Sequence, residues 1–194
     1  MLYSSRVRTT VPKQYEDSLM DIVIPKFLTE DLAEKVTNMV LNTTIFDRDH
    51  TDDFKRLPFG HLVIIVPSME DDRATNYEKW PNYEMFPRVL YEHSVGDQNK
   101  WERDFKSIAQ CKALQLWHGR NGGGQTDSNA HLLFPGDTPY WGGVYRHGLC
   151  VAFSGQRPWF DQMISGMVAD GLKAFAREAL ESSDDKEKGR DFLL

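Results

Sequence analysis

The sequence predicts a mixed α/β (α+β) fold in which helices pack against a central antiparallel sheet. Three observations predict it. His61 to Val66 and Leu149 to Phe153 are unbroken apolar runs of strand length. Leu32 to Val40, Trp101 to Leu116 and Phe160 to Phe175 instead carry apolar residues three or four apart, the spacing of one buried helix face. The strands are few, and the clearest pair is joined by a tight turn, which favours antiparallel order.

Residues 1–20 are polar and read as an N-terminal arm, 21–180 as one domain, and 181–194 as a charged tail without a packing pattern. Ile22, Val23 and Ile24 form a short apolar piece that can dock on the body. Thr29 is an N-cap candidate, and Glu30 and Asp31 suit the positive end of a helix over residues 30–43. Asp47 to Lys55 reads as a solvated turn. Its acidic residues and His50 match neither an EF-hand nor a zinc spacing. Pro67 to Gly96 contains Pro67, Pro81, Pro87 and five aromatics without periodicity, which predicts a lid, a functional loop or an oligomer contact.

A second helix is expected from Asn99 or Lys100, with Trp101, Phe105, Ile108, Ala109, Ala113 and Leu116 on one face and Gly119 as its C-cap. The Asn121 to Gly124 run lacks the Lys-Ser/Thr of a phosphate loop. His131 to Phe134 reads as a further strand. Gly142 and Gly143 then lead a hairpin: Val144-Tyr145, a turn at Arg146-His147-Gly148, and Leu149 to Phe153. Ser154-Gly155 breaks the strand, and Pro158 suits the first turn of a third helix.

The chain has 194 residues, 40% hydrophobic and 27% charged, enough for a substantial core. A net charge of −6 argues against nucleic acid as a partner, since phosphate binding needs clustered Lys and Arg. No apolar run approaches about 20 residues, and Met1 to Arg8 lacks the apolar core of a signal peptide. The expectation is a cytoplasmic protein with no membrane partner. Cys111 and Cys150 lack metal-site spacing and read as buried thiols.

Gly60-His61-Leu62-Val63, Ile108 to Ala113, Gly119-Arg120, Gly142-Gly143-Val144, the strand closing on Ser154-Gly155 and Ala169-Asp170-Gly171-Leu172 follow one another in an order that resembles the GlcG/HbpS-like (heme-degrading) family. Asp161, six residues after Gly155, matches that family's helix-start Asp. Asn99-Lys100-Trp101 is also similar to the related UPF0303 group. Leu149 and Ala152 depart from the pattern, standing where the family often has glycine. The resemblance implies a profilin-like three-layer α/β/α arrangement, heme or another flat hydrophobic ligand, and a homo-oligomer.

Beside it stand the residues' own chemistry. No Gly-x-Ser-x-Gly elbow and no Cys-His signature is present. His118, His131, Tyr140 and Asp161 are the candidate proton-moving residues. His118 and His131 are also the candidate iron ligands if heme is bound; no firm metal site is predicted. Asp161 equally suits a structural role at a helix N-terminus. Trp117, Trp141, Tyr145 and Trp159, with the bare Gly142-Gly143 pair, can wall a flat small-molecule ligand. Arg120, Arg146 and Arg157 can meet its carboxylates. Three functions are therefore expected in competition: a small-molecule (heme) binder, a cofactor-independent cyclase or isomerase of an aromatic or polyketide-type metabolite, and a non-catalytic oligomeric scaffold.

Overall fold

Strand β2 (Gly60–Glu70) is the spine of the sheet. It pairs antiparallel with β3 (Phe86–Val95) and with β5 (Leu149–Ser154), and β5 pairs with β4 (Gly143–Arg146). The two residues of β1 (Ile22–Val23) pair with Glu70 and Met69 at the far end of β2. All pairings are antiparallel. The structure is a computed structural model, and it describes residues 22–46, 57–70, 85–121, 128–191 and 193.

The apolar runs are continuous because both faces of the sheet are covered. Leu62, Ile64, Val66, Val144, Val151 and Phe153 point to α1 (Glu30–Leu41) and α3 (Pro158–Glu181), in one core cluster with Val36, Ile164 and Leu172. Val63, Ile65, Cys150 and Ala152 point the other way, against Ala109, Ala113 and Leu116 of α2 (Phe105–Trp117). The expected three layers, helix on antiparallel sheet on helix, therefore form. Thr29 caps α1 through its side chain, and Asp104 caps α2 by accepting from Ser107 N at 3.0 Å. A short α4 (Asp184–Glu187) follows α3. Among the described residues no helix is long and apolar enough to cross a membrane.

Four expectations are corrected. Both described ends of the 67–96 excursion are sheet: β2 runs through Pro67 to Glu70, and Pro87 lies opposite Pro67 in β3 (Phe86–Val95). The ladder shifts register between Ile64 and Ile65, whose partners Tyr91 and Val89 skip Leu90, so the bulge breaks the period-2 pattern. Residues 71–84, with Trp80, lie outside the described residues, as do the arm and the 47–56 turn. His131 to Phe134 is not a strand; Ala130–Leu132 is a 3-10 turn. Helix α2 starts at Phe105, and Trp101 lies in the preceding loop. The tail is not wholly loose, because Asp185 is buried and pairs with Lys26 and Arg190.

Both cysteines are free thiols. Burial pushes the Cys150 thiol up to about 12, so it stays protonated and unreactive. Iodoacetamide is expected to spare Cys150 in the native protein and modify it only after unfolding, read by peptide mass spectrometry. Native modification of Cys150 would contradict the packing of β5 against α2.

Candidate functional site

Two charged residues occupy core positions of different helices. Lys112 follows Phe105 by seven residues and Ala109 by three, so it leaves α2 on the sheet-facing stripe. Asp161 shares the buried stripe of α3 with Ile164, Ser165 and Val168. The two meet beneath the end of β5. Lys112 Nζ lies 2.9 Å from Asp161 Oδ2 and donates to Phe153 O at 3.1 Å. Asp161 Oδ1 accepts from Gln156 N at 2.9 Å. The side chains are 1% and 3% exposed. Ser165 Oγ accepts from Phe153 N at 2.9 Å and lies 2.6 Å from Asp161 O, tying α3 to β5 just behind the pair.

A cavity of about 370 Å³ opens beside this pair, and both residues line it. Phe105 and Ile108 of α2 form its apolar wall. Glu102, Arg103, Tyr140, Gln156 and Arg157 form its polar rim. The Arg103 guanidinium donates to the Tyr140 hydroxyl and sits 5.2 Å from the ring centre. Gln156 closes one side by bonding Leu57 twice, accepting from its N–H at 2.9 Å and donating to its carbonyl at 2.7 Å. Arg157 lies over the Trp159 ring at 5.6 Å.

Burial dominates the electrostatics. It pushes the Asp161 carboxyl up to about 7 and the Lys112 ammonium down, each against the attraction of its partner. The two shifts run toward each other, and it is the Asp161 carboxyl that holds its proton up to about neutral pH. A carboxyl so placed can take or give a proton at working pH.

Of the residues expected at a site, Tyr140 and Asp161 line this cavity and the histidines do not. His118 is the exposed C-cap of α2, with Nδ1 2.9 Å from Leu114 O. His131 is exposed on the 3-10 turn. Arg120 is held by Asp137 and stacks on Phe134. Trp117 packs against the core on the α2 face; Trp141 is half-buried; Tyr145 and Trp159 are exposed.

The hollow expected beside the glycine pair is filled by the protein itself. A Cβ on Gly142 would stand 2.5 Å from Pro158 O and 2.7 Å from Asp161 Cβ. One on Gly143 would stand 2.6 Å from Leu116 Cδ1. The pair lacks side chains so that α2 and α3 can close on β4. Among the described residues the cavity lining contains no histidine, cysteine or methionine, and its Tyr140, a side chain of a heme-ligating type, is engaged by Arg103. These residues do not fit heme. Among the described residues no three metal-ligating side chains converge.

Lys112 was not among the residues expected at a site. Its signal was a lysine in phase with an apolar helical stripe, matched by an aspartate in phase with another. His61 is a second buried polar residue, with Nδ1 2.8 Å from Ser94 Oγ and Nε2 3.8 Å from a Glu92 oxygen; burial holds its pKa below the usual value. It does not line the cavity. No protein-family model, no curated protein and no solved structure matches this chain.

Proposed function

We propose that the protein is a cofactor-independent acid–base enzyme, an isomerase or cyclase, acting in the cavity between α2 and α3 on a small molecule with an aromatic part and an anionic or carbonyl group. The observation that carries this reading is the Lys112–Asp161 pair, buried, joined at 2.9 Å and facing a cavity. Asp161, with Lys112 beside it, moves a proton between two positions of the bound molecule. Arg103 and Arg157, on the exposed rim, hold the anionic group of the bound molecule. Phe105, Ile108 and Tyr140 take the ring.

The test uses phenylpyruvate, an aromatic keto acid with an acidic benzylic C–H. In deuterium oxide, without added cofactor, the wild-type protein is expected to accelerate exchange of that hydrogen, followed by proton NMR. Asp161→Asn is expected to return the rate to that of buffer. Arg103→Gln changes only an exposed side chain and is expected to raise KM more than it lowers kcat. Wild-type exchange at the buffer rate, over a panel of aromatic keto acids and diketones, would overturn the reading.

One observation favours binding without turnover, the role that the GlcG/HbpS-like resemblance implies. Lys112 and Asp161 each also bond the backbone, at Phe153 O and Gln156 N, as a purely structural tie would. Saturable quenching of tryptophan fluorescence by phenylpyruvate, with no exchange, would favour that role. The homo-oligomer reading attaches to exposed Tyr145, Trp159, Met163 and Met167 and is tested by light scattering.

A further inference from the structure

Helix α3 outruns the strands beneath it. Its 24 residues span about 36 Å, whereas the six residues of β5 span about 20 Å. The buried stripe Asp161, Ser165, Val168 and Leu172 continues in phase to Ala176 and Leu180, which are only half-buried. A groove of about 510 Å³ runs under this overhang, within the size range of small-molecule sites. Its floor is apolar: Leu28, Pro67, Leu149, Ala176 and Leu180.

The rim carries one sign of charge. Lys26, Arg146, His147, Lys173 and Arg177 line the groove and, among the described residues, no acidic side chain does, in a chain whose net charge is −6. Three of these cations have carboxylate partners outside the lining. Lys26 pairs with Asp185, Arg177 with Glu181, and Arg146 loosely with exposed Asp170 at 3.6 Å. Lys173 has no ion pair among the described residues, and Arg146 Nε is buried there without a hydrogen-bond partner. The β4–β5 turn places His147 at the groove with φ +52°, beside Gly148 at φ +89°. Both values are left-handed, as a two-residue type I′ turn demands.

An apolar floor under a cationic rim is complementary to a molecule with an apolar tail and one anionic head. We propose that this groove binds a free medium-chain fatty acid, its tail along α3 and its carboxylate between Arg146 and Lys173. An inorganic anion would leave the floor unfilled, and an uncharged lipid would leave the rim unmatched.

Isothermal titration of the full chain with hexanoate, octanoate and decanoate tests this. Affinity is expected to rise about fourfold per added methylene, the gain from burying one CH2 group. Decanol is expected to bind at least tenfold more weakly than decanoate. Arg146→Gln with Lys173→Gln is expected to weaken decanoate at least tenfold at an unchanged melting temperature. Tyr140→Phe, in the other cavity, is expected to leave the isotherm as it is. No saturable binding of decanoate at millimolar concentration would overturn the proposal. So would decanol binding equally well, or affinity indifferent to the two substitutions. Co-sedimentation with phosphatidylglycerol vesicles without decanoate binding would overturn it in favour of a membrane surface.

Discussion

Asp161→Asn is expected to destabilise the protein by about 3–5 kcal/mol, measured by urea unfolding at pH 7. The side chain loses its charge while Lys112 stays 1% exposed, with only a carbonyl oxygen left to meet its ammonium. Lys112→Met is expected to destabilise as well, since it strands a buried carboxyl. The double variant Lys112→Met/Asp161→Leu is expected to recover most of the loss, because two apolar side chains have no charge to desolvate. Recovery stays incomplete: Phe153 O and Gln156 N each lose a partner. Additive single effects would mean that the two side chains do not interact.

The sign of the pH dependence follows from the same pair. The folded Asp161 holds its proton up to about 7, against an ordinary 3.8. Its contribution to stability is therefore full below about 4 and is lost as pH rises through 7. Lys112 is shifted down, so the unfolded chain keeps that proton longer, and the Lys112 contribution grows as pH rises toward 10.5.

Gly142→Ala is expected to lose about 2–5 kcal/mol. Its φ of +117° is unfavourable for an L residue, about 1–2 kcal/mol. The added methyl would also meet Pro158 O at 2.5 Å and Asp161 Cβ at 2.7 Å, and the first is backbone that cannot swing aside. That overpacking adds about 1–3 kcal/mol and moves the first turn of α3 off the site. Gly148→Ala is the control. Its φ is +89°, but no neighbouring atom lies within 4 Å of the added carbon, so only the backbone part is lost. Equal losses for the two variants would mean that β4 and α3 do not approach as described.

The strands and helices of the core were legible because their apolar periods are unbroken and both sheet faces are covered. β3 was not. Among the described residues it pairs only with β2, and it carries Pro87 and skips Leu90 at a bulge, so neither alternation nor continuous hydrophobicity marks it. At the site, Tyr140 and Asp161 were legible as polar residues at the borders of elements. Lys112 was not, because a lysine in a helix ordinarily means a solvated face; only its phase against Phe105 and Ala109 says otherwise. The glycine pair was read as vacancy, yet a missing side chain marks close approach as readily as open space, and only tertiary packing separates the two. The packing of the tail was not legible, because Asp185 finds Lys26 from 159 residues away, a contact no local pattern encodes.

The central claim is that Lys112 and Asp161 form a proton-exchanging pair at a cavity. Carbon-13 NMR of the Asp161 carboxyl, followed from pH 3 to pH 9, tests it most directly. The account predicts a titration near 7 that shifts when phenylpyruvate is bound. A carboxyl that titrates near 4 or below and ignores the ligand would make the pair a permanent structural bridge and contradict the account.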